Sequence, residues 1–239
     1  MKKRFKFLIL LIYIFFTNQI NLSGDEFYFE GEEIQILDEG NRLVSKKGVK
    51  ITTNDGLILE GEKFEYDKTK LELNLSENII INDQRKNIII KTNKIKYSKK
   101  SEKLTSYNFT EVFFGNKYLI KSENIIFDRN EGIIKSNTNT SIIDNYQNEI
   151  LSENFIFFIN DRLIKAKNVL IKDNQGNETI LENFVADLNE DQFYGKDVKI
   201  NFNKKIFTLI ITNILTNVNS SAINLLTLAT DFNLLLFYF

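Results

Sequence analysis

Lys63-Phe64-Glu65-Tyr66-Asp67 returns as Lys94-Ile95-Lys96-Tyr97-Ser98, as Asn124-Ile125-Ile126-Phe127-Asp128 and as Asn154-Phe155-Ile156-Phe157-Phe158. A weaker copy is Asn183-Phe184-Val185-Ala186-Asp187. The ring positions 66, 97, 127 and 157 lie 31, 30 and 30 residues apart, and Ala186 follows after 29. Seven residues beyond each comes Leu73, Leu104, Ile134, Ile164 and Phe193. Self-similarity at a fixed period is the signature of a repeat architecture. No single unit of this size buries its apolar face alone; stacked copies build a common core.

Two further segments keep the same beat. One runs Val49-Lys50-Ile51, Ile79-Ile80-Ile81, Val112-Phe113-Phe114, Ser141-Ile142-Ile143, Val169-Leu170-Ile171 and Val198-Lys199-Ile200. The other runs Leu57-Ile58-Leu59, Ile88-Ile89-Ile90 and Tyr118-Leu119-Ile120, then Glu149-Ile150-Leu151 and Thr179-Ile180-Leu181. The segments are short, β-branched or aromatic, and punctuated by Asn54-Asp55-Gly56, Asn82-Asp83, Asn130-Glu131-Gly132 and Asn174-Gln175-Gly176-Asn177. That is strand-and-turn grammar. No sustained helical stripe occurs between residues 25 and 203, which leaves room for at most a short helix at the N-terminal edge.

The expectation is an all-β chain built from a three-strand unit of about thirty residues, whose copies stack into two antiparallel sheets as a long sandwich or folded solenoid. In Phe64-Glu65-Tyr66 and Ile95-Lys96-Tyr97 the outer residues share one face and the charged residue points the other way. The inward set so defined is Phe64, Tyr66, Ile79, Ile81, Ile95, Tyr97, Ile125, Phe127, Phe155 and Phe157. Later strands such as Asn124–Phe127 and Asn154–Phe158 are apolar on both faces, either as ordinary surface residues or as a second contact surface.

The 239 residues are 43% hydrophobic and 26% charged, a globular balance, with a formal net charge of −1. No excess of positive charge is available to neutralise a phosphate backbone, so nucleic acid is not an expected partner. There is no Cys and no His, which removes disulfides, thiolate nucleophiles, imidazole bases and nearly all soft-metal sites. Carboxylates such as Asp67, Asp128, Asp144 and Asp173 fall at turns, where Asx-type hydrogen bonds account for them. No catalytic, metal or cofactor site is expected.

The chain opens with Met1-Lys2-Lys3-Arg4-Phe5-Lys6 followed by the unbroken apolar run Phe7–Phe16. This is the pattern of a signal peptide, too short for a bilayer span, and residues 1–24 are assigned as a signal peptide or a short N-terminal anchor. Residues 25–205 form the repeat domain. Beyond Lys205 the beat stops, and Asp231 is the only charge left. Residues 206–239 are therefore an atypical hydrophobic tail, read first as a non-native tail from a disrupted reading frame, with a terminal strand pair or a membrane-associated segment as the alternatives.

Over about residues 30–205 the chain resembles the OstA-like (organic solvent tolerance-like) β-jellyroll domains of the LptD/LptA family of lipopolysaccharide export. Its strand wording is most similar to the N-terminal periplasmic domain of the LptD type. The segments that carry the likeness are Gly48-Val49-Lys50-Ile51, Glu60–Lys68, Asn78–Asp83 and Tyr194–Ile200. They record strand and turn spacing and hold no chemically unique cluster. The resemblance implies a periplasmic domain, free or associated with the outer membrane, that passes lipid A acyl chains along an apolar cleft. The inward residues named above would line that cleft. LptA-like soluble bridges and LptC-like anchored chains are alternative family roles. No residues for the large C-terminal barrel of the LptD type are present, so the chain would be the periplasmic half of such a protein. Lys63, Lys94 and Lys165 are candidates for the lipid headgroup. The implied partners are lipopolysaccharide and other β-jellyroll Lpt-type proteins docking on free strand edges, with Phe27, Phe29, Ile34 and Ile36 at one end and Val198, Ile200 and Phe202 at the other. The competing reading is an exported structural β-solenoid with a closed core and no lipid cargo.

Overall fold

The computed structural model describes residues 27–115, 117–190, 192–196, 198–202, 205–209 and 214–217. The apolar run 7–16 and residues 218–239 lie outside the described residues, and so does the assignment of their roles. The described part is all-β. It opens with β1 (Phe27–Glu30), β2 (Gln35–Leu37), β3 (Arg42–Ser45), β4 (Val49–Thr53), β5 (Leu57–Gly61) and β6 (Lys63–Asp67). Two long strands follow, β7 (Glu72–Asp83) and β8 (Ile88–Ser98), then β9 (Lys103–Ser106), β10 (Phe109–Phe114) and β11 (Tyr118–Glu123). The middle holds β12 (Ile126–Asp128), β13 (Ile133–Ser136), β14 (Thr140–Asp144), β15 (Glu149–Ser152) and β16 (Asn154–Phe158). A second long pair, β17 (Leu163–Lys172) and β18 (Glu178–Asp187), leads to β19 (Gln192–Lys196), β20 (Val198–Phe202), β21 (Lys205–Leu209) and β22 (Ile214–Asn217). A 3₁₀ turn at Asp38–Gly40 sits at the N-terminal edge.

Hydrogen bonds join all of these strands into one large antiparallel sheet, folded into two leaves. Leaf one runs β1, β4, β5, the second half of β7, the first half of β8, β10, β11, β14, β15, the second half of β17, the first half of β18, β20 and β21. Leaf two runs β2, β3, β6, the other half of β7, the other half of β8, β9, β12, β13, β16, the remaining halves of β17 and β18, β19 and β22. The repeat therefore contains four strand segments, not three. The extra one holds the residue seven beyond each ring, which pairs directly with it: Tyr66 with Leu73, Tyr97 with Leu104, Phe127 with Ile134, Phe157 with Ile164 and Ala186 with Phe193. Apart from Asn130-Glu131-Gly132, the hairpin turns between them carry the same Lys, Asp, Asn and Glu that cover the surface, so composition does not mark them.

The chain passes between leaves along one line, the crease. There β7 breaks register between Ser76 and Ile79, and Glu77 and Asn78 take positive φ. Asn108, Asn124 and Asn168 take positive φ at the equivalent crossings, at 71°, 52° and 50°. Asparagine tolerates this left-handed conformation better than residues with bulkier or branched side chains. The hairpin turns of both leaves lie on the opposite side, the rim.

Because pairing keeps its register within each leaf, inward residues form files that run the length of the stack. In leaf two the file Leu43, Tyr66, Leu73, Tyr97, Leu104, Phe127, Ile134, Phe157, Ile164 and Ala186 is unbroken. In leaf one the matching file is Phe29, Ile51, Leu59, Ile81, Ile90, Val112, Ile120, Ile142, Ile150 and Ile171. The leaves meet face to face: Phe27 of β1 packs on Tyr66 and Tyr97 with ring centroids 5.1 and 6.0 Å apart, and Phe114 packs on Phe157 at 4.7 Å. Each fully buried ring or aliphatic chain contributes about 1.5–3 kcal/mol of burial, which is what holds the leaves closed.

Candidate functional site

The interior between the leaves gathers all ten residues expected to face inward. Phe64, Tyr66, Ile79, Ile81, Ile95, Tyr97, Ile125, Phe127, Phe155 and Phe157 are at most 6% exposed. They form one apolar cluster, filled by the protein's own side chains. An apolar guest would have to part the leaves to replace these contacts.

The wall nearest the crease is polar. Thr92, Thr110, Ser122, Thr140 and Ser152 stand directly opposite one another across five neighbouring strands of leaf one, and all are buried. Thr92 and Thr110 share a 3.0 Å hydrogen bond, and Ser122 and Thr140 share one of 2.9 Å. Thr110 donates to Ser106 Oγ at 2.8 Å, linking this row to leaf two, and beside it Ser136 of leaf two donates to the Glu123 carbonyl of leaf one at 2.7 Å. Buried hydroxyls persist where they can pair with each other and with the backbone carbonyls freed by the bend; Ser152, the last of the row, has no such partner among the described residues. The row was legible only as Ser and Thr at matched strand positions, a weak signal in a chain rich in polar residues.

The rim is closed by charge in the N-terminal half. Arg129, in the turn after β12, is buried and reaches three carboxylates. Its Nε donates to Asp83 at 2.8 Å, its Nη2 lies 2.8 Å from Asp55, and its Nη1 lies 2.5 Å from Glu102. Asp55 and Asp83 belong to leaf one; Arg129 and Glu102 belong to leaf two. The Tyr97 hydroxyl donates to Glu102 at 2.6 Å, and Lys99 pairs with the same carboxylate. Burial pushes the Arg129 guanidinium down, but the hydrogen bond and charge of Asp83 more than offset this, so the net shift is upward. Burial also pushes Asp55 up, while the hydrogen bond from Thr53 and the charge of Arg129 bring it below the ordinary carboxylate value. The Tyr97 phenol is raised by burial and then by its bond to Glu102. Among the described residues no group of acidic side chains is arranged to hold a metal; the three carboxylates around Arg129 are bound to its guanidinium instead. Sequence reasoning treated Asp55 and Asp83 as turn punctuation and overlooked Arg129, because the three meet only through the fold.

The turn carboxylates do cap their own turns. Asp67 accepts from the N–H of Thr69 and Lys70, Asp128 from Glu131, Asp144 from Tyr146 and Asn148, and Asp173 from Gln175 and Asn177. The three lysines proposed for a headgroup are not at the rim. Lys63 pairs with Glu77 at the crease, Lys94 lies over the Tyr107 ring beside it, and Lys165 is on the outer face of leaf two over Phe158.

At the N-terminal end, β1 pairs only with β4 and β2 only with β3 among the described residues, so both leaves present a free backbone edge there. Phe27 turns its side chain into the core, Phe29 and Ile34 are half-buried against it, and Ile36 is 70% exposed. The C-terminal edge lies elsewhere than expected. Val198, Ile200 and Phe202 stand in β20, which is flanked by β18 on one side and β21 on the other. Among the described residues, 205–209 and 214–217 continue the ladder, so the last strands are β21 in leaf one and β22 in leaf two.

Neither a protein-family model nor a characterised protein matches the sequence. Among solved structures the chain is similar to LptH, the LptA homologous periplasmic component of the conserved lipopolysaccharide transport device from Pseudomonas aeruginosa, at 10% identity. That likeness covers 66% of this chain and 96% of LptH, with a TM-score of 0.26. It is also similar to the TCP10c domain of Drosophila melanogaster Sas-4, at 9% identity over 63% of this chain and 93% of that domain, with a TM-score of 0.17. Both are weak, low-identity likenesses, and neither assigns an activity to this chain.

Proposed function

We propose that this chain is a non-enzymatic periplasmic lipopolysaccharide carrier that holds lipid A acyl chains between its two leaves and passes them toward the outer membrane. The observation that carries the reading is the pair of inward apolar files, which run in register from the N-terminal strands to the C-terminal ones. Such files give an acyl chain equivalent surroundings at every repeat, and about 0.8 kcal/mol per methylene moved out of water needs no specific polar motif. The backbone edges that β1 and β2 present among the described residues would receive a preceding β-jellyroll protein by strand addition, and the last described strands, β21 and β22, a following one.

The test is photocrosslinking from within the files. A photoreactive residue at Phe127 or Phe157 of the full chain, in a lipopolysaccharide-producing cell, is expected to capture lipopolysaccharide, while one at outward-facing Lys96 captures none. Equal labelling from both faces, or none from inside, refutes the carrier. The complete burial of the ten inward residues favours the other reading, a structural solenoid with a closed core, and that outcome would establish it.

A further inference from the structure

The two halves of the rim are built from different chemistry. Two residues beyond each repeat's ring lies a position that begins the turn of leaf two: Lys68, Lys99, Arg129, Ile159 and Leu188. The five are structurally equivalent, since each donates its backbone N–H to the preceding turn: to Asn41, Leu71, Glu102, Gly132 and Arg162, at 2.8 to 3.0 Å. The column changes from cation to hydrocarbon between the third and fourth repeats. Lys99 pairs with Glu102 of its own leaf, and Arg129 crosses to Asp55 and Asp83 of leaf one. Past that point Ile159 and Leu188 are buried, and the contact across the rim is Phe114 on Phe157. The leaf-one carboxylates there, Asp144 and Asp173, are engaged by their own turns. Arg162 lies at this second half with its guanidinium 5.7 Å from the Phe114 ring centre, and its Nε is buried with no hydrogen-bond partner.

We infer that the interior is entered through the C-terminal half of the rim, between Phe114 and the Phe157–Arg162 turn, by the hydrocarbon chain of an anionic amphiphile, while Arg129 keeps the N-terminal half shut. The choice of half follows from what insertion would leave behind. An alkyl chain slid between Phe114 and Phe157 exchanges one apolar contact for another. The same chain slid between Arg129 and Asp83 would strand buried charges without partners. The anionic head follows from Arg162, whose unpaired buried N–H is satisfied when a carboxylate or phosphate reaches the guanidinium. The place of entrance rests on the carrier reading; the unequal strength of the two halves does not.

The chain has no cysteine, so introduced ones are unique. Spin labels at Asn54→Cys with Asn130→Cys span the Arg129 half, and labels at Lys117→Cys with Asn160→Cys span the other. In the full chain without any guest, warming is expected to broaden the 117–160 distance before the 54–130 distance, and Arg129→Gln to abolish that order. Simultaneous broadening in the unsubstituted chain, or the reverse order, overturns the lock. A fluorescent polyene fatty acid is then added. Its uptake is expected to lengthen the 117–160 distance alone; uptake with neither distance changed, or with 54–130 changed first, overturns the entrance. The acid is expected to bind about tenfold more tightly than its methyl ester, with Arg162→Gln removing the difference and Arg162→Lys keeping part of it. Equal binding of acid and ester overturns the role of Arg162, and a long-chain alkyl phosphate in place of the acid tells a phosphate head from a carboxylate one. No uptake of any probe, with the order of warming intact, refutes the carrier and the entrance together while leaving the lock standing.

Discussion

At the crease the two leaves are the same chain; at the rim they are separate hairpin turns that meet only through side chains. The crease is held by covalent continuity, by Asn residues in left-handed conformation and by a buried row of hydroxyls. The rim is held by Arg129 and its carboxylates in one half and by Phe114, Phe157, Ile159 and Leu188 in the other. The difference teaches where the molecule can open. A hinge made of backbone cannot part without unfolding, whereas a seam made of side chains can part and close again.

The largest expected effect comes from the files that both borders enclose. Phe127→Ala should cost about 3–5 kcal/mol, the range for an aromatic deleted from a packed core, measured by denaturant unfolding. A loss under about 1 kcal/mol would mean the leaves do not pack there. Arg129→Met should cost about 3–5 kcal/mol, because Asp83 is left buried and charged. Adding Asp83→Asn should recover most of that loss, as Asn keeps an acceptor for the Lys86 N–H that bonds Asp83. Additive losses in this double-mutant cycle would show that the two residues do not act together across the rim.

The crease should respond to backbone conformation and not to charge. Asn168→Val places a β-branched residue at φ 50° and should cost about 1–2 kcal/mol, while Asn168→Gly should cost less. If Val is tolerated as well as Gly, the bend is not enforced by backbone conformation at this crossing.

Acid should act on the rim turns. Asp128, like Asp55, lies below the ordinary carboxylate value: burial pushes it up, but the N–H of Glu131 and then Lys103 outweigh that. A carboxylate depressed in the folded state contributes stability that is fully present above its unfolded value of about 4 and is lost as pH falls through the folded one. Unfolding midpoints should therefore hold steady above that pH and fall below it, with Asp55→Asn flattening the fall. The smallest effect belongs to the outer face, where Lys96→Ala, which removes a partly exposed pair with Glu72 at 2.9 Å, should change stability by no more than about 0.5 kcal/mol.

Legibility followed the range of the interactions. The ring positions 66, 97, 127 and 157 were readable because strand alternation is local and the repeat multiplies it. Turn carboxylates such as Asp144 were readable for the same reason, since their partners lie two to four residues away. The fourth strand segment was hidden by turns that share the surface composition. The Arg129 cluster joins residues 46 and 27 positions apart, and nothing in either neighbourhood announces the other. The C-terminal edge was misplaced because backbone pairing continues through β21 and β22 after the sequence beat has stopped.

The sequence alone determined that the chain is β-rich, that its units recur every thirty residues or so, and which side chains face inward, because a strand's two faces are fixed by alternation. Only the tertiary structure decided that the sheet folds on a crease, that its rim is charged in one half and apolar in the other, and that Arg129 ties the two leaves together through carboxylates. Those features depend on which turns come to lie opposite each other, and that is set by the bend of the whole sheet.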